Sequence, residues 1–372
     1  MSNVIPTLVR RGFEAHASMT KDGDSPRQIE LPTWGALMLA ATAFFFAGVL
    51  FMIEYTFGRI LPTLLMIESP QEAILFEPLP TEDPDSTIKD PEQAQVKAKP
   101  ITASFRSTIR LLQSVGGFRA RFRGLAIYIA TAFAVNSVGG FLSVFPLLRI
   151  FPRPFWNGVA TVLCATLSLA WTHIVISEPN PKTWFRRLPA LRMWKKVAAP
   201  TAVLAIAEQL SVYLPIYLSI VTGITDQKPE DVANMTGGQR TAMAFQGIGI
   251  FIFGLVLAFL IVIPANVTLT RVQASLLSDA EETIVPFDRS FGGKVIPEIV
   301  GGTGVIGMLD AWKTFDWASR IRLIKTYAKV FAMQFAVTIL FALVLVAQIF
   351  MIVGRDWSKL IPEDGDKGDK GL

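Results

Sequence analysis

The stretch from Val197 to Ile224 reads VAAPTAVLAIAEQLSVYLPIYLSIVTGI and is long enough to cross a lipid bilayer as a helix. A membrane-spanning helix needs about 20 apolar residues. Glu208 lies near the centre of this stretch, where a charged side chain is costly because hydrocarbon solvates it poorly. Such a residue usually faces the interior of a helical bundle. The sequence therefore predicts a membrane protein with a polar site near the middle of the bilayer.

Five further apolar stretches have a similar length, so the chain is predicted to cross the membrane six times. The predicted spans are Trp34–Ile53, Leu125–Leu148, Phe155–Ser177, Val197–Ile224, Ala242–Pro264 and Lys329–Val353. Charged residues make up 17% of the chain, compared with about 25% in ordinary soluble domains. We therefore expect an all-α polytopic membrane protein, with six transmembrane helices in three two-helix pseudo-repeats.

The remaining regions are polar. We expect a polar N-terminal segment at residues 1–33, a membrane bundle at 34–353 and a disordered C-terminal tail at 354–372. Within the bundle, residues 68–100 are rich in acids and prolines, a composition that predicts a disordered insertion. Residues 265–328 are predicted to form a second long polar loop.

Lysine and arginine are unevenly distributed between the two sides of the predicted bundle. The three loops that follow the odd spans carry 23 of these residues, and the opposite side, with both termini, carries 12. Basic loops stay on the negative side of a membrane. The side with the three basic loops, which we call the loop side, is therefore expected to face the cytosol or the mitochondrial matrix. Because topology accounts for the net charge of +5, no nucleic-acid partner is expected.

Proline and arginine recur with the same spacing after two odd spans. PNPKTWFRRL contains Pro179 and Arg186, and PANVTLTRVQ contains Pro264, Arg271 and Gln273. A third element, GGFRARFRGL, precedes the second span. In these segments the chain resembles the mitochondrial carrier family. It is also similar to fungal multi-spanning membrane proteins of unassigned activity in THIVISEPNPKTWFRRLP and VPFDRSFGGK.

The carrier resemblance implies three two-helix repeats, loops in the matrix and both termini in the intermembrane space. It further implies that Arg186 and Arg271, with Pro179, Pro264 and Gln273, close or brace the loop-side face. The mitochondrial inner membrane is therefore favoured, with the endoplasmic reticulum or another membrane as the alternative. The family's acidic and basic positions hold Pro181, Trp184, Asn266 and Leu269 in this chain, so the resemblance supplies no salt bridge between helices.

Polar residues on the even spans indicate where a solute would bind. Asn136, Glu208, Gln209 and Gln334 lie within three apolar spans, and polar groups at similar depth are typical of a transporter's midplane site. Glu208 could bind a cationic group or a proton. Alternatively, an uncharged Glu208 could hydrogen-bond to a neighbouring helix and only hold the bundle together.

Transport of a small solute is the function that these features favour. The alternative is a non-transporting scaffold or adaptor that binds protein partners or anionic lipids through loops 68–123 and 265–328, because residues 101–123 carry five arginines and no acid. Cys164 is the only cysteine and the chain has two histidines, so no metal site is expected. No cofactor is implied, and no catalytic Ser-His-Asp set is recognisable, so we do not expect an enzyme.

Overall fold

The computed structural model describes residues 32–69, 100–145, 151–227, 229–296 and 298–353. Over these ranges the chain forms helices and turns without a strand, and an isolated antiparallel bridge joins Ser177 to Thr283. Five helices are long and apolar enough to span a membrane, and a bent helix pair gives a sixth span if it is counted as one. The predicted all-α polytopic membrane fold is therefore confirmed.

Twelve α-helices are formed by the described residues. They are α1 Thr33–Ile53, α2 Leu61–Ile67, α3 Phe105–Gly116, α4 Leu125–Val144, α5 Arg153–Leu163, α6 Ala165–Ile176, α7 Trp194–Val221, α8 Pro229–Asn234, α9 Gly237–Leu257, α10 Ile263–Ser275, α11 Met308–Lys313 and α12 Trp317–Val353. Short 3-10 turns cover Ile101–Ala103, Gly117–Phe122, Trp184–Arg187, Leu191–Met193, Ile224–Asp226 and Glu298–Val300.

Three spans are interrupted before they reach the loop side. A π-helical segment, Glu54–Ile60, joins α1 to α2, and a second, Ala258–Val262, joins α9 to α10. The second residue after each segment is a proline, Pro62 in α2 and Pro264 in α10. Proline lacks the amide hydrogen for the helical ladder and clashes with the preceding turn, so it favours such breaks. Between α5 and α6 the axis bends by 60° at Cys164.

The helices extend further toward the loop side than predicted. The first span continues through Ile67, α10 continues to Ser275, and α12 begins at Trp317. Both ends of the predicted polar loop 265–328 are therefore helical. The rest of that loop packs on the helices, where Phe291 and Ile306 form a buried cluster with Val272. The predicted spans ended where charged residues lower the hydropathy. In the structure, the helical turns after these residues are buried against neighbouring segments.

The chain divides into two compact units. One comprises residues up to Phe51 and from Gln334 onward, and the other comprises Met52–Met333. In the first unit, the Gln348 amide donates a hydrogen bond of 2.6 Å to the Thr42 hydroxyl, and the rings of Phe46 and Phe341 lie 4.9 Å apart.

The core of the second unit, which we call the central unit, lies where its spans end on the loop side. The largest cluster brings together buried residues of α2, α3, α6, α10 and the segment after α10, including Leu64, Leu112, Ile176 and Leu277. Farther from the loop side, large apolar residues such as Phe133 on α4 are exposed. Such exposure is expected for helices whose outer surface contacts lipid.

Glu68 closes the base of the predicted insertion 68–100. Its buried carboxylate accepts hydrogen bonds from the Ile101 amide at 2.6 Å and the Thr102 hydroxyl at 2.5 Å, and lies 3.5 Å from the Arg322 guanidinium. The chain thus enters and leaves the insertion at the same place, and its first residue is structural core. The predicted disorder falls mainly on residues 70–99 which, like 1–31 and the tail 354–372, lie outside the described residues.

Candidate functional site

A cluster of ionisable side chains lies between the helices of the central unit. Glu54 and Arg59 in the first π segment form an ion pair with an O–N distance of 3.5 Å. The Arg59 guanidinium lies 5.6 Å from the ring centre of Tyr128 on α4, and it interacts electrostatically with Glu208 on α7 and Tyr327 on α12. Because four spans contribute to this cluster, it lies inside the bundle and does not face the surrounding lipid.

The π segment is what brings Glu54 and Arg59 together. Residues five apart in an α-helix point about 140° away from each other, at 100° per residue. A π turn instead places residues i and i+5 above one another. Gly58 also makes room for the carboxylate, since a Cβ at this position would lie 2.9 Å from Glu54 Oε2. The interruption of the first span therefore builds the acid–base pair.

The ionisable side chains of the cluster are only partly covered by protein. The side chains of Arg59 and Glu54 are 47% and 44% exposed although other helices surround them, and Glu208 is also exposed. Within the described residues, no hydrogen bond joins the Glu208 carboxylate to a neighbouring helix. At the edge of the cluster, the Asn266 amide donates to the Tyr327 hydroxyl at 3.1 Å. Ionisable side chains that lie between helices and that other protein groups cover only partly are suited to binding a polar solute.

The four residues that were predicted to form a midplane site do not all lie in the ionisable cluster. Glu208 belongs to the cluster, and Gln209 follows it on the partly buried side of α7. Asn136 is exposed, and its amide donates to the Ala132 carbonyl of its own helix at 2.8 Å. Gln334 belongs to the other compact unit.

Sequence reasoning missed Glu54, Arg59 and the two tyrosines. The first span was predicted to end at Ile53, which left Glu54 outside it, whereas Glu54 lies inside the continuous helical run of residues 33–67. A signal was available: EYTFGR is preceded by FFFAGVLFMI and followed by ILPTLLMI. The predicted span stopped at Ile53 because a glutamate and an arginine follow within six residues.

Buried polar contacts join the spans nearer the loop side. The Arg271 guanidinium, on α10, donates to the Met66 carbonyl of α2 at 3.0 Å and to the Thr314 hydroxyl at 2.9 Å. It also lies over the ring of Phe291, 4.7 Å from the ring centre. Arg271 is 6% exposed, so a buried cation ties α10 to the end of the first span.

Gln273 makes the corresponding link to the third span. Its side-chain oxygen accepts from the Thr172 hydroxyl at 2.5 Å, and its amide donates to the Ser168 hydroxyl at 3.2 Å. His173 Nε2 lies 2.8 Å from the Gln273 carbonyl oxygen. We call the contacts of Arg271 and Gln273 with α2 and α6 the loop-side floor. Met66 comes seven residues after Arg59, so the floor lies about 10 Å nearer the loop side than the cluster.

The two Pro-Arg pairs with equal spacing have different environments. Pro264 lies in the first turn of α10, whereas Pro179 is exposed beyond the end of α6 and bends no span. Arg186 is exposed, and the adjacent Arg187 makes the internal contacts, donating to Ser177 Oγ at 2.7 Å and Glu281 at 3.1 Å. The reason is that α6 ends at Ile176 while α10 continues past Arg271.

Arg123, from the GGFRARFRGL element, caps the third span. Its guanidinium donates to the carbonyls of Ile174, at 3.0 Å, and Ser177, and its own carbonyl accepts from the Tyr55 hydroxyl at 2.5 Å. A cation at a helix C-terminus is stabilised by the helix dipole and satisfies carbonyls that lack helical partners. This arginine therefore connects the first, second and third spans on the loop side.

The loop that carries Phe291 is held by Asp288. The Asp288 carboxylate accepts from the Ser290 hydroxyl at 2.6 Å and the Gly292 amide at 2.7 Å. Burial alone would raise the pKa of Asp288, but the hydrogen bonds from Ser290 and Gly292 outweigh it and hold this pKa below its usual value. The hydrogen bonds of the ionised Asp288 carboxylate fix the turn that holds the Phe291 ring over Arg271.

Comparison with known proteins adds no relative: no protein-family model matches the chain, and no curated protein matches its sequence. Within the part of the chain that the structure describes, no group of three or more His, Cys, Asp or Glu residues could hold a metal ion. The described ionisable side chains of the candidate site are two acids, a guanidinium and two tyrosines.

Proposed function

We propose that this membrane protein transports a small solute with ionisable groups, and that the solute binds at Glu54, Arg59 and Glu208. The observation that carries the proposal is that Arg59 and Glu208 come from different helices, interact electrostatically and are both exposed although other helices surround them. Ionisable residues inside a membrane bundle usually mark a substrate or ion path. A purely structural Glu208 would instead be expected to hydrogen-bond to an adjacent helix.

The loop-side floor supports a carrier-type cycle. With the floor formed, the cluster is closed toward the loop side, so the solute would enter from the side of the termini. Release on the loop side would require Arg271 and Gln273 to leave their partners on α2 and α6. The breaks at Glu54–Ile60, Cys164 and Ala258–Val262 provide places where spans could bend. A cycle of this kind is what the resemblance to the mitochondrial carrier family implies.

The mitochondrial inner membrane remains the proposed location, with the basic loop side in the matrix. Asn234 heads an Asn-Met-Thr glycosylation site, is exposed and lies on the side of the termini. An N-linked glycan on Asn234, detected by a glycosidase-sensitive shift on a gel, would place the protein in the secretory pathway and contradict this location.

Uptake by reconstituted vesicles tests the transport proposal. Purified protein in liposomes is assayed with labelled amines, amino acids, carboxylates and phosphate, and protein-free liposomes give the background. For the solute with the highest uptake, Glu208→Gln and Arg59→Gln are each expected to lower the rate about tenfold or more, as the loss of roughly 1.4 kcal/mol of binding would. The control Glu178→Gln removes an exposed loop carboxylate and should leave uptake unchanged.

Uptake equal to background for the whole panel, by protein that is monodisperse before reconstitution, would count against transport. The scaffold alternative, acting through residues 68–123 and 265–328, would then be the better account. Uptake that is unaffected by both site substitutions would retain transport but contradict the assigned site.

A further inference from the structure

A small cavity on the loop side of the central unit shares no residue with the ionisable cluster. It lies between the end of α6, the loop that follows α6 and the residues after α10, and its polar lining consists of His173, Arg187, Ser278 and Glu281. Its volume is about 170 Å³, and a cavity of about 150 Å³ is enough to hold a benzene molecule. A ligand the size of a small ion therefore fits.

Arg187 brings to this cavity a hydrogen-bond donor that the described residues do not use. Its side chain is 8% exposed, and its Nη2 atom makes both of its hydrogen bonds with described residues, to Ser177 Oγ at 2.7 Å and to Glu281 Oε2 at 3.1 Å. Nη1 has no partner among those residues, and it is not enclosed as the neighbouring Nε atom is. Since guanidinium groups bind oxyanions through charge-assisted hydrogen bonds, Nη1 is suited to an oxygen of an anionic ligand.

His173 and Glu281 add two acceptors to the same cavity. His173 Nε2 lies 2.8 Å from the Gln273 carbonyl oxygen, which can only accept, so Nε2 carries the hydrogen and Nδ1 of the neutral ring is an acceptor. Glu281 uses Oε2 for Arg187, which leaves Oε1. Neither Nδ1 nor Oε1 has a partner among the described residues, and neither is fully enclosed. Because His173 interacts electrostatically with both Arg187 and Glu281, one small ligand can reach all three side chains.

We propose that this cavity binds hydrogen phosphate. Its unprotonated oxygens would accept hydrogen bonds from Arg187 Nη1, and its hydroxyl groups would donate to Glu281 Oε1 and His173 Nδ1. Sulfate has a similar size and shape but carries no hydrogen at neutral pH. It would leave both acceptors without a donor and place its own charge beside the Glu281 carboxylate, which is costly where water is partly excluded.

A terminal phosphate monoester, such as the headgroup of phosphatidic acid, offers the same donors and acceptors as the free ion. The volume of the cavity favours the free ion, because a monoester brings a carbon chain that the cavity would also have to admit. Glycerol 3-phosphate serves as the soluble monoester in the test.

Calorimetric titration of the purified full-length protein in an uncharged detergent tests the proposal. Phosphate, sulfate and glycerol 3-phosphate are compared at neutral pH and constant ionic strength. We expect phosphate to bind about tenfold or more tightly than sulfate, because a site that hydrogen-bonds to a ligand hydroxyl rejects an analogue without one. Glycerol 3-phosphate should bind more weakly than phosphate.

Substitutions locate the bound ion. Arg187→Gln should weaken phosphate binding about tenfold or more, whereas Arg186→Gln, at the exposed neighbouring arginine, should leave it unchanged. Arg59→Gln should also leave it unchanged, which separates this cavity from the site proposed for transport.

Glu281→Gln should make the affinities for phosphate and sulfate nearly equal, because glutamine removes the negative charge and offers an N–H donor to sulfate. Glutamine also keeps an oxygen that can accept from Arg187. This variant therefore decides the matter even if Arg187→Gln fails to fold.

Absence of phosphate binding by the intact protein, or equal binding of sulfate, would overturn the proposal. So would a preference for phosphate that Glu281→Gln leaves intact. Tighter binding of glycerol 3-phosphate would overturn the free ion as the ligand. Loss of phosphate binding on Arg59→Gln would place the ion in the ionisable cluster and contradict the assignment to this cavity.

Discussion

Arg271 is a buried cation whose hydrogen bonds go to neutral groups, the Met66 carbonyl and the Thr314 hydroxyl. Burying a charge is costly unless hydrogen bonds and polarisable neighbours replace its lost hydration. The rings of Phe291 and Phe315, with centres 4.7 and 5.5 Å from the guanidinium, supply part of that replacement. Arg271 therefore holds α10, the first span and the loop before α12 in one arrangement.

Replacement of Arg271 by methionine should lower the free energy of unfolding by about 2–3 kcal/mol. The two lost hydrogen bonds involve a charged donor, and methionine leaves the Met66 carbonyl without its partner. The matched control is Arg186→Met, an exposed arginine at the same distance from a proline, which should change stability by no more than about 0.5 kcal/mol. Unfolding followed by tryptophan fluorescence in one detergent gives both values, and equal losses would contradict the assignment of Arg271 as a brace.

The contrast between these two arginines shows why the site could be predicted only in part. A spacing of seven residues is the same in both sequences, but whether the side chain points inward depends on whether the helix continues past the arginine. Sequence could identify Glu208 because one acid lies in an otherwise apolar stretch. It could not bring Arg59 within electrostatic reach of Glu208, because that depends on how several helices of the central unit pack together.

At the scale of helices, apolar length predicted α4, α7 and α9, and it failed where a span contains ionisable residues. The first span is the clearest case, since Glu54 and Arg59 lowered its hydropathy and were assigned to a loop. The π geometry that pairs them has no simple sequence signature, although Pro62 and Pro264 mark the places where the two π segments end.

Replacement of Gly58 by alanine should disturb the site more than the fold. The added Cβ would lie 2.9 Å from Glu54 Oε2 and displace the carboxylate from Arg59. An exposed pair of this kind is worth about 1 kcal/mol, so the solute concentration for half-maximal uptake should rise about fivefold. Gly48, in the same helical run, has no atom within 4 Å of such a Cβ, so Gly48→Ala should leave that concentration unchanged.

Both substitutions replace a flexible glycine within a helix by alanine. They should stabilise the helix by similar amounts, up to about 1 kcal/mol. Melting temperatures of the two variants therefore check that the Gly58→Ala effect is local. If both substitutions changed the solute concentration for half-maximal uptake equally, the π segment would have no special part in binding.

At the scale of the whole molecule, the buried core and the ionisable cluster lie at different depths of the central unit. The buried clusters, the loop-side floor and the Arg123 cap lie where the spans end on the loop side, whereas the ionisable cluster lies about 10 Å farther from that side. Packing on the loop side can therefore hold the helix ends while the side chains of the ionisable cluster stay partly exposed.

The insertion at residues 70–99 should be dispensable for this arrangement, because Glu68 fixes both of its ends. Replacement of 70–99 by a four-residue Gly-Ser linker, which can span about 13 Å, should leave melting temperature and uptake close to those of the intact chain.

Glu68→Ala, with the insertion kept, should instead destabilise the protein by about 2–4 kcal/mol. It leaves the Ile101 amide, the Thr102 hydroxyl and the Arg322 guanidinium without their buried acceptor. Loss of uptake in a stably folded deletion variant would show that the insertion acts in the cycle itself, and a deletion variant that fails to fold would contradict the role given to Glu68.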